Sequence, residues 1–211
     1  MKQQRTRIKF CGITRVEDAL AAVALGVDAL GFILVDGSPR RLTLKAAAAM
    51  RRQLPPLVSV VTLLRNPDSD EVWETIDAVQ PHLLQFHGEE APAFCASFGL
   101  PYLKAVAMQG LQRPLSEIAQ DHADAAALLL DGHAPGELGG QGKAFDWSSI
   151  ATGVNKPLML AGGLNPDNVA GAIRLAHPYA VDVSSGIESK PGIKDSGKME
   201  AFVRHVRDAD T

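Results

Sequence analysis

The sequence of 211 residues has little cysteine, few aromatic residues and no excess of charge of either sign. Two cysteines, Cys11 and Cys95, are too few for a disulfide framework, and we expect both to be reduced in a cytoplasm. The net charge of -3 gives no basic field, which argues against a nucleic-acid partner. No apolar run approaches the roughly 20 residues that span a membrane, and no apolar signal-peptide core follows the charged N-terminus. We therefore expect a cytoplasmic protein with neither a nucleic-acid nor a membrane partner.

The spacings typical of metal and cofactor sites are also missing. The six histidines form neither H-x-H nor H-E-x-x-H, and no C-x-x-C is present. Gly139, Gly140 and Gly142 match neither the dinucleotide-binding pattern nor a Walker loop. We interpret the glycine-rich segment 132–143 as a mobile lid. The sequence thus predicts no metal and no cofactor.

Apolar strand-like runs alternate with amphipathic helical runs along the whole chain. Strands are predicted at Arg7–Cys11, Ala29–Leu34, Leu57–Leu63, Leu83–Phe86, Tyr102–Ala107, Ala126–Leu130, Pro157–Ala161 and Ala180–Val183. Helical segments are predicted at Val16–Leu25, Leu44–Gln53, Ser69–Val79 with Asp68 or Ser69 as N-cap, Ala91–Phe98, Pro114–Gln120, Trp147–Ala151, Asn165–Leu175 and Lys194–Val206. The alternation is typical of α/β proteins with a parallel sheet.

Eight strand-then-helix units favour one fold within this class. They predict a single (β/α)8 TIM barrel over residues 1–211, in which eight parallel strands close into one sheet. A doubly wound open sheet is the structural alternative. In a barrel of this kind the loops that follow the strands share one face, and active sites lie there.

Two residues that end predicted strands are candidate catalytic groups. Asp131 stops the all-apolar run Ala125–Leu130, so its carboxylate is expected at the mouth of the sheet, although it could instead cap the following loop. Cys11 ends the first strand and precedes Gly12. A buried apolar thiol is the usual fate of a lone cysteine, but a thiolate at this face could act as a base with help from neighbouring donors or cations.

Other polar residues follow the remaining strands. Gly162 and Gly163 after the seventh strand, and the hydroxyls and amides after the eighth, predict a phosphate site, unless the glycines only make tight turns. Arg40 can hold a carboxylate or phosphate with its guanidinium fork, or can be a solvated loop cation. The remaining candidate substrate-binding residues are Gln85, His87, Asp182, Ser184, Ser185 and Gly186.

Several segments, in order along the chain, resemble the signature segments of the phosphoribosylanthranilate isomerase family. They are Lys9–Thr14, Ala29–Phe32, Ser38–Arg40, Gln85–Gly88, Leu130–Asp131, Phe145–Trp147, Ala161–Pro166 and Asp182–Glu188. The resemblance implies a (β/α)8 barrel of tryptophan biosynthesis. The implied reaction is the Amadori rearrangement of N-(5-phosphoribosyl)anthranilate, a small phosphorylated substrate, to 1-(2-carboxyphenylamino)-1-deoxyribulose 5-phosphate, without a cofactor.

The resemblance also implies roles for individual residues. Cys11 corresponds to the general base, Asp131 to the general acid and Arg40 to the residue that holds the anthranilate carboxylate. Because Asp131 must be protonated to donate, we predict that burial or a nearby anion raises its pKa. The alternatives are a non-catalytic phosphate-binding barrel and the related histidine-biosynthesis isomerase, which carries an aspartate where Cys11 stands and needs two phosphate sites. We expect a monomer or homodimer.

Three positions depart from the family pattern. Gln141 stands where a small hydroxyl residue is usual, which affects the predicted lid. Phe10 and Phe86 replace aliphatic residues, and we interpret both as packing changes outside the proposed chemistry.

Overall fold

A computed structural model describes residues 5–133, 145–150 and 153–211. Its eight parallel strands are hydrogen-bonded in chain order and close into a barrel, because the first strand pairs with both the second and the eighth. The strands are β1 Arg7–Cys11, β2 Ala29–Ile33, β3 Ser59–Leu64, β4 Leu83–Phe86, β5 Tyr102–Ala107, β6 Ala127–Asp131, β7 Leu158–Leu160 and β8 Ala180–Val183. The closed barrel predicted from the alternating pattern is confirmed, and the open sheet is excluded.

Helices connect most of the strands. They are α1 Val16–Ala24, α2 Leu44–Arg51, α3 Ser69–Val79, α4 Pro92–Ala96, α5 Leu115–Asp121, α6 Val169–Ala176 and α7 Ser196–Ala209. Between β6 and β7 the described residues contain only a 3-10 turn, Trp147–Ser149. The longest helix within the described ranges, α7, has 14 residues, and none there is both long and apolar enough to cross a membrane. Residues 134–143 of the predicted lid, which include the departure at Gln141, lie outside the described residues.

Local sequence explains where helices begin. The Asp68 side chain accepts a hydrogen bond from the Glu71 amide, and the Glu71 side chain accepts one from the Asp68 amide. Of the two predicted caps of α3, Asp68 is therefore the N-cap, in a capping box. α6 begins at Val169 and not at the predicted Asn165. The reason is that the Asn165 side chain accepts amide hydrogen bonds from Asp167 and Asn168, which stabilises a turn before the helix.

A short antiparallel hairpin after β8 was absent from the sequence prediction. β9 (Glu188–Lys190) pairs with β10 (Ile193–Lys194) across a turn that contains Gly192, whose φ is 78°. The final helix therefore begins at Ser196, with Asp195 as its N-cap, and not at the predicted Lys194. The hairpin matters for the site because it returns Glu188 and Lys194 to the top of the barrel.

Alternation along the strands separates the core into layers. On β6, Leu128 and Leu130 point outward, whereas Ala127 and Leu129 pack inside the barrel. The two phenylalanine departures both lie on the outward side, as packing changes. Phe10 is fully buried against Phe202 at a ring distance of 6.0 Å, and Phe86 packs on the aromatic residues of the α4 region.

Candidate active site

One pocket opens at the carboxyl ends of the barrel strands. The open space between its walls, including the mouth that faces solvent, is about 820 Å³. Ten of the eleven candidate site residues line it: Cys11, Arg40, Gln85, His87, Asp131, Gly162, Gly163, Asp182, Ser184 and Ser185. The closed barrel brings these residues together from loops that lie far apart in sequence.

Asp131 is the last residue of β6, one position later than the predicted end of that strand. Because Ala127 and Leu129 point into the barrel, the alternation of the strand directs the Asp131 side chain inward as well. Asp131 is only 6% exposed to solvent. Asp131 is therefore a buried carboxylate at the floor of the pocket, and not a cap for the loop that follows.

Two imidazoles contact this carboxylate. His87 Nε2 lies 3.4 Å from Asp131 Oδ2, and His133 Nδ1 lies 3.3 Å from the same oxygen. Burial alone would raise the pKa of Asp131, but the contacts with His133 and His87 outweigh it and hold the pKa well below its ordinary value. The predicted upward shift is wrong for this state of the protein, because the sequence did not reveal the two histidine neighbours.

Cys11 is the last residue of β1, is 4% exposed and carries a free thiol. Burial raises the pKa of the Cys11 thiol, and the Lys9 ammonium partly opposes this. Lys9 points into the barrel from the same strand, and its Nζ lies 2.9 Å from Asp182 Oδ1. Burial lowers the pKa of Lys9, but Asp182 and Cys11 more than offset that, so its pKa is raised. Lys9 is thus a buried cation beside the Cys11 thiol.

Arg40 is a buried member of an ion-pair network, and not a solvated loop cation. Its Nε and Nη2 each lie 2.8 Å from a different carboxylate oxygen of Glu188, which is the bidentate geometry. Lys194 Nζ lies 2.9 Å from Glu188 Oε1 and also donates to the Cys11 carbonyl oxygen at 2.7 Å. Burial raises the pKa of Glu188, but Arg40 and Lys194 outweigh it and lower that pKa.

The loops after β7 and β8 both line the pocket. Ser184 Oγ is buried and has no hydrogen-bond partner among the described residues, so a polar group is available for a ligand. Gly162 has a φ of 74°, and a Cβ there would collide with the Gly132 amide nitrogen. Gly186 does not line the pocket. A Cβ at that position would collide with the Leu164 carbonyl oxygen, so Gly186 allows the two loops to pack together.

Four residues at or beneath the site were not predicted from the sequence as site residues: Lys9, His133, Glu188 and Lys194. The signal for His133 was its spacing, since it lies two residues after Asp131 and can share its neighbourhood. Glu188 and Lys194 had no local signal, because their role depends on the hairpin and on Arg40, 148 residues away from Glu188.

Comparison with known proteins gives consistent results. Residues 8–205 match a family described as N-(5'-phosphoribosyl)anthranilate (PRA) isomerase. The N-(5'-phosphoribosyl)anthranilate isomerase of Stenotrophomonas maltophilia is 53% identical over 207 residues, covering 98% of this chain and 95% of the relative. The crystal structure of phosphoribosyl anthranilate isomerase from Thermus thermophilus aligns with a TM-score of 0.85 at 39% identity, covering 95% of this chain and 98% of that one.

A further solved relative contains a ligand. It is a phosphoribosyl anthranilate isomerase in complex with reduced 1-(o-carboxyphenylamino)-1-deoxyribulose 5-phosphate, 34% identical with a TM-score of 0.83, and the alignment covers 96% of this chain and 99% of that one.

Proposed function

The chain belongs to the N-(5'-phosphoribosyl)anthranilate isomerase family, and from that premise we propose which of its residues perform the reaction. It is an isomerase of tryptophan biosynthesis that converts N-(5-phosphoribosyl)anthranilate to 1-(2-carboxyphenylamino)-1-deoxyribulose 5-phosphate by an Amadori rearrangement. The rearrangement needs one proton delivered to the ring oxygen, which opens the sugar to an iminium. It then needs one proton removed from C2, which gives an enolamine that becomes the ketone.

We assign the acid step to Asp131 and the base step to Cys11. The observation that carries this assignment is that both residues, buried at the ends of β6 and β1, line the same pocket. Asp131 must take up a proton before it donates one, and the imidazoles of His87 and His133 are the adjacent groups that can pass it. Cys11 acts as thiolate, and the Lys9 ammonium stabilises its negative charge.

We assign substrate binding to the rest of the pocket. The loop with Gly162 and Gly163 and the loop with Ser184 and Ser185 would hold the phosphate, and the orphaned Ser184 hydroxyl supports this. Arg40 would bind the anthranilate carboxylate through the N–H groups that Glu188 does not use. Gln85, His87 and Asp182 would contact the sugar, and Gly186 would support the phosphate loop from behind.

The direct test of the function uses the purified chain with N-(5-phosphoribosyl)anthranilate. We expect the fluorescence of the anthranilate conjugate to fall with turnover, without added metal or cofactor. A non-catalytic barrel would bind the substrate and leave its fluorescence constant over time. The histidine-biosynthesis reaction is not favoured, because this chain has Cys11 where that isomerase has an aspartate. A single barrel domain that works as a monomer or homodimer remains our proposal for the whole chain.

Glu188→Gln is expected to raise the KM several-fold more than it lowers kcat. The substitution keeps the side-chain shape but removes the charge that orients Arg40, so the guanidinium no longer awaits the substrate carboxylate in a fixed position. Breaking a buried ion pair also costs about 3–5 kcal/mol of stability. Steady-state kinetics and thermal unfolding of the variant measure both effects.

The matched control is Glu90→Gln. Glu90 is also buried and lies 2.6 Å from Lys104, but it does not line the pocket. We expect a comparable loss of stability with a KM close to that of the wild type. An equal rise of KM in both variants would show that Glu188 acts through stability alone, and would remove its role in positioning Arg40.

A further inference from the structure

His87, Asp131 and His133 form a compact cluster of three metal-ligating side chains, which we call the imidazole–carboxylate cluster. One ligand atom from each lies within 4.8 Å of the others, and all three residues are buried. His87 Nε2 and His133 Nδ1 have no partner with hydrogen-bond geometry among the described residues. Two buried nitrogens therefore lie within 3.4 Å of one carboxylate oxygen without a hydrogen bond to it, beside the pocket that His87 and Asp131 line.

We propose that this cluster is a binding site for one divalent transition-metal ion of the Zn²⁺ type, and that the bound ion blocks the pocket to substrate. Zn–N and Zn–O bonds of about 2.0–2.2 Å at tetrahedral angles hold neighbouring ligand atoms about 3.3–3.6 Å apart. The two nitrogen-to-oxygen separations, 3.4 and 3.3 Å, already have this length. The third distance, between the two imidazole nitrogens, is at most 4.8 Å, and rotation of one imidazole would bring it to the same length.

Gln85 supplies the outer contact that such a site requires. Its side-chain amide nitrogen lies 3.2 Å from His87 Nδ1, the ring nitrogen that is not part of the cluster. With the amide oxygen turned toward Nδ1, that nitrogen carries the proton and Nε2 presents its lone pair to the ion. As placed in the structure, Gln85 Oε1 is buried without a hydrogen-bond partner. Turning the amide over lets Oε1 accept a hydrogen bond from the His87 Nδ1 proton.

The donor set determines which ion fits and what it does there. Two imidazoles and one carboxylate favour Zn²⁺, Co²⁺ or Ni²⁺ over Mg²⁺ and Ca²⁺, which take oxygen ligands. Three protein ligands leave the fourth position open toward the pocket, where water or an anion binds. The ion would occupy the Asp131 carboxylate and the space above it, so the inhibition is expected to be competitive with substrate.

The test is titration of the purified chain with Zn²⁺ by calorimetry and with Co²⁺ by visible absorption, both without substrate. We expect one ion per chain and the intense absorption of four-coordinate Co²⁺. His133→Gln is expected to weaken binding at least tenfold and to remove that absorption, and Asp131→Asn is expected to do the same. Because binding is measured without turnover, failure of the isomerase assignment would not alter this result.

His205→Gln is the matched control, since His205 lies on α7 and does not line the pocket. This variant is expected to bind the ion as the wild type does. Unchanged binding in both cluster variants, or loss of binding in His205→Gln, would mean that the ion uses other histidines and would overturn the proposal. So would the absence of any binding to a wild-type chain that unfolds normally on heating. Zn²⁺ inhibition that a chelator does not reverse would contradict competitive blocking.

Discussion

Asp131→Asn is expected to lower kcat by about 10²–10⁴-fold, the usual contribution of a positioned general acid. Asparagine keeps the size of the side chain and can still contact His87 and His133, but it cannot deliver a proton to the sugar oxygen. Substrate binding should change much less than kcat, because the phosphate and carboxylate contacts lie elsewhere in the pocket. Steady-state kinetics by fluorescence measures both parameters, and rescue of a strain that lacks this isomerase measures the same loss in growth.

The control for this prediction is Asp28→Asn. Asp28 directly precedes β2, at the opposite end of the barrel from the pocket, where it accepts a hydrogen bond from the Ile8 amide and pairs with Arg5. Its variant should keep a kcat close to that of the wild type. An Asp131→Asn enzyme that retains full activity, or that supports normal growth, would remove Asp131 from the role of acid.

Cys11→Ala is expected to lower kcat by a similar factor of about 10²–10⁴, because the variant lacks the thiolate that we assign to accept the C2 proton. Cys95→Ala is the matched control, since Cys95 is a second buried free thiol but packs in α4 among aromatic side chains. The control should lose some stability and keep its kcat. Equal activity loss in the two variants would point to folding as the cause, and full activity in Cys11→Ala would exclude Cys11 as the base.

The pH dependence of activity gives a second measurement of the same role. A base works in its deprotonated form, and burial raises the pKa of the Cys11 thiol. The reactive thiolate is therefore a minor species at neutral pH, and its fraction increases as the pH rises. In the wild type the protonated fraction of Asp131 falls over the same range and offsets this gain, so the residual activity of Asp131→Asn is the clearer measurement. In that variant we expect kcat/KM to climb with pH from neutral into the alkaline range, as far as the fold remains intact. A flat profile in Asp131→Asn would contradict a thiolate base with a raised pKa.

The sequence was sufficient for the barrel and for most of the pocket. Alternating apolar patterns specify the strands, and parallel strands in a closed barrel must bring their ends to one face. Position therefore made Cys11 and Asp131 candidates, and the family resemblance implied their roles. The seventh and eighth loops were recognisable because glycines and hydroxyls at strand ends have few other structural reasons to occur together. Such signals are local in the sequence, and folding into the barrel brings the residues that carry them into one pocket.

The electrostatic environment of these residues could not be predicted in the same way. The bidentate pair of Arg40 with Glu188 depends on a hairpin that only the folded chain reveals. The direction of the Asp131 pKa shift depends on the imidazoles of His87 and His133, which are 44 and 2 residues away in sequence. Folding places both rings against the Asp131 carboxylate. Burial alone predicted a rise, and the magnitude of the opposing contacts reversed it.

The most direct test of the account is a crystal structure of this chain with reduced 1-(o-carboxyphenylamino)-1-deoxyribulose 5-phosphate, the ligand found with a solved relative. We predict the phosphate between the loops at Gly162–Gly163 and Ser184–Ser185, and the carboxyphenyl carboxylate beside Arg40. The Cys11 sulfur and the Asp131 carboxylate should approach the sugar portion from different sides. A ligand whose sugar contacts neither of these two residues would contradict the assignment of acid and base.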